Sequence, residues 1–275
     1  MRISAAVAAV LLSIPSLAFG QVNTEKLRKA SRDSGFGGNL TLSGALRKGN
    51  TDNFRLTAGF RVQYETLEPR TSTTAEAHTR DLIFLVGNMV FADKATDFAR
   101  ERFINRGFAH LRWSRWWTRR VASEVFAQVQ YNEFIRLLSR TLGGVGARVT
   151  VLESKVADAY VGTGYMFERE ALDIPADRRP ETECVTCQFH RWTTYVAFSI
   201  KLIEDRLALL NTLYVQPRFD DFSDYRLFSD GSLSISANDV LSLSLGLVVR
   251  YDSRPPLSDV APLDLTVKNT LKVSF

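Results

Sequence analysis

Beyond residue 20 the 275-residue chain contains no long apolar run. The most apolar later stretch, Leu82 to Phe91, is interrupted by Asn88 and is too short to cross a bilayer as a helix. A helical membrane protein is thereby excluded for the mature chain. Cysteine is almost absent, with Cys184 and Cys187 alone, and histidine is represented by three residues. His190 offers a third ligand beside the Cys184-Val185-Thr186-Cys187 pair, but His78 and His110 are remote in sequence, so no fourth is evident and no metal or cofactor is expected. No dense Lys/Arg run accompanies the net charge of +5 and pI near 9.3, which argues against nucleic acid as a partner. No Cys follows Gly20, so a lipid-anchored start is not expected.

What is present begins with an export signal. Arg2 precedes an apolar run from Ile3 to Leu12, then Ser13 and Pro15. Ala18 and Gly20 place small residues where a signal peptidase reads them. A buried helix opening a cytosolic protein is the other reading, and it gives no reason for that layout. Residues 1–20 are therefore expected to be a signal peptide, and 21–36, with Lys26, Arg28, Lys29 and Arg32, a polar periplasmic lead-in. In an oxidising compartment Cys184 and Cys187 are expected to form a local disulfide rather than free thiols or a metal site.

The rest of the chain alternates. In the final segment Leu263, Leu265, Val267, Leu271, Val273 and Phe275 share one parity, and Asp264, Thr266, Lys268, Thr270, Lys272 and Ser274 the other. Side chains alternate faces along a strand, so this segment has one apolar and one polar face. The same rule holds for Phe54 to Tyr64, Val121 to Tyr131, Thr141 to Val151, Ala159 to Glu168, His190 to Leu202 and Leu241 to Tyr251. Arg80 to Phe91 alternates poorly. The tally is about twelve strands of the length a tilted strand needs to cross a bilayer. Trp113, Trp116 and Trp117 cluster beside a charged turn, as aromatics do at a membrane interface. Putting the final strand's end in the periplasm places the short turns there, and the longest connection, Ala171 to Gln188, outside. Only Leu67 to Thr79 is long for its side. The expected fold is all-β: a transmembrane up-and-down antiparallel β-barrel of about 12 strands over residues 37–275. A soluble exported β-sandwich is the alternative, and its strands are usually shorter.

On the polar parity stand Arg55, Arg61, Arg106, Arg112, Arg148, Arg191, Arg226 and Arg250, with fewer acids, chiefly Glu124, Glu168, Asp252 and Asp264. Such residues line a narrow anion-preferring pore or pair with acids and close the lumen; the sequence leaves both open. A phospholipase-like enzyme needs a nucleophile and base in reach of each other. His110 and Ser114 share a face but lie about 13 Å apart along one strand. No nucleophile motif surrounds any histidine, and no catalytic residue is expected.

Three stretches resemble a known family. They are the Gly49-Asn50-Thr51 turn; Tyr131-Asn132-x-Phe134-x-Arg136-x-Leu138-x-Arg140-x-Leu142-Gly143-Gly144-x-Gly146; and Gly162-x-Gly164-Tyr165 running into Phe167-Glu168-Arg169-Glu170. In order and spacing they resemble the YdiY-like family of salt-induced outer-membrane proteins, defined mainly by unknown function. Leu271, Val273 and Phe275 resemble the signal that outer-membrane barrels present to their assembly machinery. The resemblance implies a Gram-negative outer-membrane barrel; such a chain is expected to be monomeric, in contact with outer-membrane lipid and with the barrel assembly machinery during biogenesis. The expected role is envelope integrity or small-solute permeation, with induction by salt or acid stress implied by the family name, and the resemblance supplies no catalytic residues.

Overall fold

The structure, a computed structural model, describes residues 35–49, 52–68, 78–95, 100–181, 184–203, 206–237 and 241–273. The signal-peptide and lead-in segments up to residue 34, Asn50 and Thr51 of the first turn, and Phe275 lie outside the described residues. Alternation produces twelve strands: β1 (Gly35–Arg47), β2 (Asp52–Leu67), β3 (Thr79–Ala95), β4 (Arg100–Trp116), β5 (Val121–Asn132) and β6 (Leu137–Glu153). They continue as β7 (Ala157–Leu172), β8 (Thr186–Ile203), β9 (Leu207–Pro217), β10 (Tyr225–Ser236), β11 (Leu241–Asp252) and β12 (Leu263–Val273). Each pairs antiparallel with the next, in one up-and-down sheet ordered β1 to β12. Among the described residues no pairing joins β12 back to β1.

The sheet is strongly curled. Neighbouring strands lie about 4.8 Å apart, so β4 and β11 would stand roughly 33 Å apart on a flat sheet. Yet Arg106 on β4 lies within electrostatic reach of Arg250 on β11 and Asp264 on β12. Arg226 on β10 bonds Glu168 on β7 at 2.5 Å, three strands away. Both contacts require a concave face that brings distant strands together, the architecture of an up-and-down barrel.

The two faces are inverted relative to a soluble protein. Leu111, Val129, Val145, Leu213, Leu245 and Val267 are exposed on the convex face. Arg106, Arg112, Glu124, Arg148, Glu168 and Arg191 are buried on the concave one. Charged side chains are ordinarily exposed and aliphatic ones buried. Strand β3 explains its poor alternation: Leu82, Phe84, Val86 and Val90 are buried inside while Ile83, Leu85 and Met89 are exposed outside, so both faces are apolar. Phe108 and Trp116 pack on the inner set. Trp116 thus faces inward, whereas Trp113 and Trp117 are exposed.

Several strand limits differ from the expected ones. β1 starts at Gly35, because Gly35 and Phe36 still pair with Glu65 and Tyr64 at the far end of the long β2. β6 starts at Leu137, β7 extends to Leu172 and β8 starts at Thr186, so the connection between β7 and β8 shrinks to residues 173–185. A bulge between Leu137 and Ser139 resets the parity at the start of β6. Connections 117–120 and 154–156 lie at one end, and 133–136, 218–224 and 253–262 at the other. Most of the expected long exception, residues 69–77, lies outside the described residues.

Candidate functional site: a charged interior under a capped mouth

Glycine makes room for the interior. Tyr195 stands directly opposite Gly162 across β7 and β8, and Phe126 opposite Gly144 across β5 and β6. A Cβ at either glycine would overlap the opposing ring. Two of the glycines in the sequence motifs are therefore seats for aromatic rings on the concave face. Tyr195 packs with Tyr214, Phe228 and Val248, an apolar lining from β8 to β11.

Against that lining lies a first polar network. Glu124 accepts from Ser114 at 3.1 Å, from Arg112 at 3.3 Å and from the Tyr195 hydroxyl at 2.9 Å. Arg148 donates to the same hydroxyl at 3.4 Å, and its guanidinium lies 4.1 Å from the Tyr160 ring centroid. A cavity of about 50 Å³ beside His110, Glu124 and Tyr195 has room for a few waters.

A second network lies nearer the end with the longer connections. Glu168 meets Arg140 at 3.3 Å, Arg191 at 3.3 Å and Arg226 at 2.5 Å. Arg226 also reaches Glu170 and Asp252, each at 2.9 Å, and Arg140 bonds Glu170. Arg191 and Arg218 share Asp224 at 3.0 and 3.1 Å, and Arg218 holds Asp220 at 2.6 Å. Arg191 is also bonded to the Gln216 carbonyl at 3.1 Å. Four guanidinium groups and five carboxylates from β6, β7, β8, β10, β11 and the 218–224 connection thus interlock. Removing one partner from such a buried pair strands a charge, at a cost of about 3–5 kcal/mol. In the connection, the hydrogen bonds from Arg218 pull the Asp220 carboxyl down to about 2.

All eight arginines singled out from the sequence stand on the concave face, but in different company. Arg112, Arg148, Arg191 and Arg226 belong to the two networks. Arg61 donates to Gln63 at 2.8 Å. Arg55, Arg106 and Arg250 gather with Asp264, where Arg106 is within reach of both other arginines. Arg140 and Glu170 were missing from the sequence-derived lining because they lie beyond the expected ends of their strands. The signal was available, since both occur in the quoted motifs and alternation carried past Glu168 reaches Glu170.

Cys184 and Cys187 are joined by a disulfide in the 173–185 connection and the start of β8. His190 faces outward, with Nδ1 2.5 Å from the Tyr165 hydroxyl. Among the described residues no cluster fit for a metal ion is found. His110 bonds Gln128 at 3.0 Å while Ser114 bonds Glu124, so these hydrogen bonds do not join them as a base and nucleophile. His78 lies 3.0 Å from Glu68. Leu271 is exposed on the outer face, and β12 ends at Val273.

Fold and site define the class: an all-β, up-and-down barrel architecture with an apolar exterior and an ion-paired interior. The chain belongs to the family described as "Protein of unknown function, DUF481", whose model matches residues 40–275. No curated protein matches the chain significantly.

Proposed function

We propose that the protein is a monomeric β-barrel of the Gram-negative outer membrane whose interior is closed by paired charges, and that it serves envelope integrity. The observation that carries this reading is the inversion of the two faces. Aliphatic side chains cover the convex surface, while Arg226, buried beneath it, links Glu168, Glu170 and Asp252. A lipid solvent makes the outer face favourable, and the continuous antiparallel ladder from β1 to β12 satisfies the backbone between neighbouring strands. The short turns 117–120 and 154–156 at one end and the longer connections 218–224 and 253–262 at the other fit the periplasmic and outer sides of such a barrel. Export by a cleaved signal, handling by the assembly machinery and induction by salt or acid stress, in the manner of the YdiY-like proteins, belong to the same proposal. The test is refolding into lipid vesicles. A barrel gives heat-modifiable gel mobility and protease protection of the strands; a β-sandwich stays in the aqueous fraction.

A narrow anion-preferring pore is the second reading. Strand β1 is exposed along nearly its whole length, and Arg55 and Arg61 on β2 are half-buried. Arg55 with Arg106 and Arg250 makes a basic flank beside Asp264. Ion flux with a preference for anions, reduced in an Arg55→Ser/Arg106→Ser variant, would favour it over the closed barrel.

A further inference from the structure

The connections at the longer-loop end close over the concave face. Leu137, Leu172, Ile174 and Leu257 are buried together, and Ile135, Val185 and Val260 pack on them. These residues come from three different connections and the strand ends beside them. Arg178 latches the 173–185 connection to Asp259 at 2.8 Å and Ser258 at 3.3 Å. Arg254 latches the 253–262 connection to Asp221 at 2.5 Å and Ser223 at 3.0 Å.

Between this apolar cap and the Glu168 network lies a cavity of about 450 Å³. A purely structural seal is packed by side chains to crystal-like density. A space of this size is instead in the range of sites that hold drug-sized ligands. Its upper wall is apolar, formed by Ile135, Leu172, Phe189, Pro256 and Val260. The charged walls are unequal. Arg140, Arg191 and Arg226 each meet at least two carboxylates. Arg250, on β11 two residues from Asp252, lines the same cavity and lies 3.8 Å from Asp264. Arg106 lies within electrostatic reach of Arg250, Arg55 and Asp264, and Arg250 within reach of Asp264 and Asp230, so three guanidinium groups gather beside two carboxylates.

We propose that this cavity binds a small amphiphile carrying one carboxylate, with the head group at Arg250 and the apolar body under the cap of Ile135, Leu172 and Val260. The apolar wall gives affinity by burial, and the basic wall selects the charge. The site goes beyond the closed-barrel reading, and binding is read without any ion flux.

The test is calorimetric titration of the full chain in lipid nanodiscs with octanoate, octanamide and octylammonium, with empty discs as the partition control. Octanoate is expected to bind at one site per chain, tighter than the amide by roughly tenfold or more. Arg250→Gln is expected to erase that preference. Val260→Trp and Ile135→Trp, from two different connections, are expected to fill the cavity and abolish binding of all three probes, with heat-modifiable mobility reporting that each variant folds. Binding that survives both tryptophan variants, a preference for octylammonium, equal binding of amide and carboxylate, or no heat above the empty discs overturns the proposal.

Discussion

The Tyr195 hydroxyl on β8 donates to the Glu124 carboxylate on β5 at 2.9 Å, across three strand spacings, while the Tyr195 ring lies over Gly162. One side chain thus fixes the curl of the sheet, the space left by a motif glycine and the orientation of a buried acid. Tyr195→Phe removes one of the bonds to Glu124 and keeps the ring. The expected cost is about 1–3 kcal/mol, the penalty for a buried group that loses a partner. Gly162→Val drives the ring out of its seat and is expected to cost more than the phenylalanine variant. Urea unfolding in lipid vesicles measures both, and a neutral Gly162→Val contradicts the packing.

Glu168 is the node of the second network, in contact with Arg140, Arg191 and Arg226. Glu168→Gln keeps the shape and removes the charge. It is expected to destabilise the barrel by about 3–5 kcal/mol, because three buried guanidinium groups lose their common counter-ion. Arg102→Gln is the contrast. Its ion pair with Glu133 at 3.2 Å is exposed, and such pairs are worth about 0–1 kcal/mol. Equal losses in the two variants contradict the layered interior.

The latches at the mouth set a pH dependence. The hydrogen bond from Arg178 lowers the Asp259 carboxyl below its ordinary range, and hydrogen bonds from Ser223, with the Arg254 charge, do the same for Asp221. A lowered carboxyl favours the charged form in the folded mouth. Its contribution is full above the ordinary carboxylate range, near about 4, and is lost as pH falls through the lowered value. Asp220, down at about 2, releases Arg218 last. Pepsin cleavage within 253–262 is therefore expected to stay slow at pH 4 and to accelerate toward pH 2. Loosening between pH 6 and pH 5 contradicts this assignment.

The disulfide closes a loop of only four residues, Cys184 to Cys187, beside the cavity wall that Cys187 helps to line. Short closures remove little chain entropy. Reduction is expected to leave global unfolding nearly unchanged while raising amide exchange in 184–190. A large fall in global stability on reduction contradicts a purely local role.

Alternation made the twelve strands legible because the apolar convex face and the polar concave face take alternate residues. It also placed Arg112, Arg148, Arg191 and Arg226 on one face. It placed Glu124, Glu168 and Asp252 on that face too, but it missed Asp224, which lies in a connection, and Glu170, beyond the apparent end of β7. Pairing across several strands depends on curl, which period-two alternation does not encode. Strand β3 was obscured because Leu82, Phe84 and Val86 fill the interior where other strands place polar groups. The apolar cap was hidden as well, because Ile174, Val185 and Leu257 are scattered over connections with no periodicity.

The central claim is a membrane barrel sealed by its own charges. Single-channel conductance of the refolded chain in planar bilayers, under a salt gradient, tests it most directly. The account predicts a heat-modifiable, folded and electrically silent barrel, with current emerging only in Glu168→Gln or Arg226→Ser, where the seal is broken. Steady, anion-selective steps from the unaltered chain would contradict the seal and move the function to the basic flank of Arg55, Arg106 and Arg250.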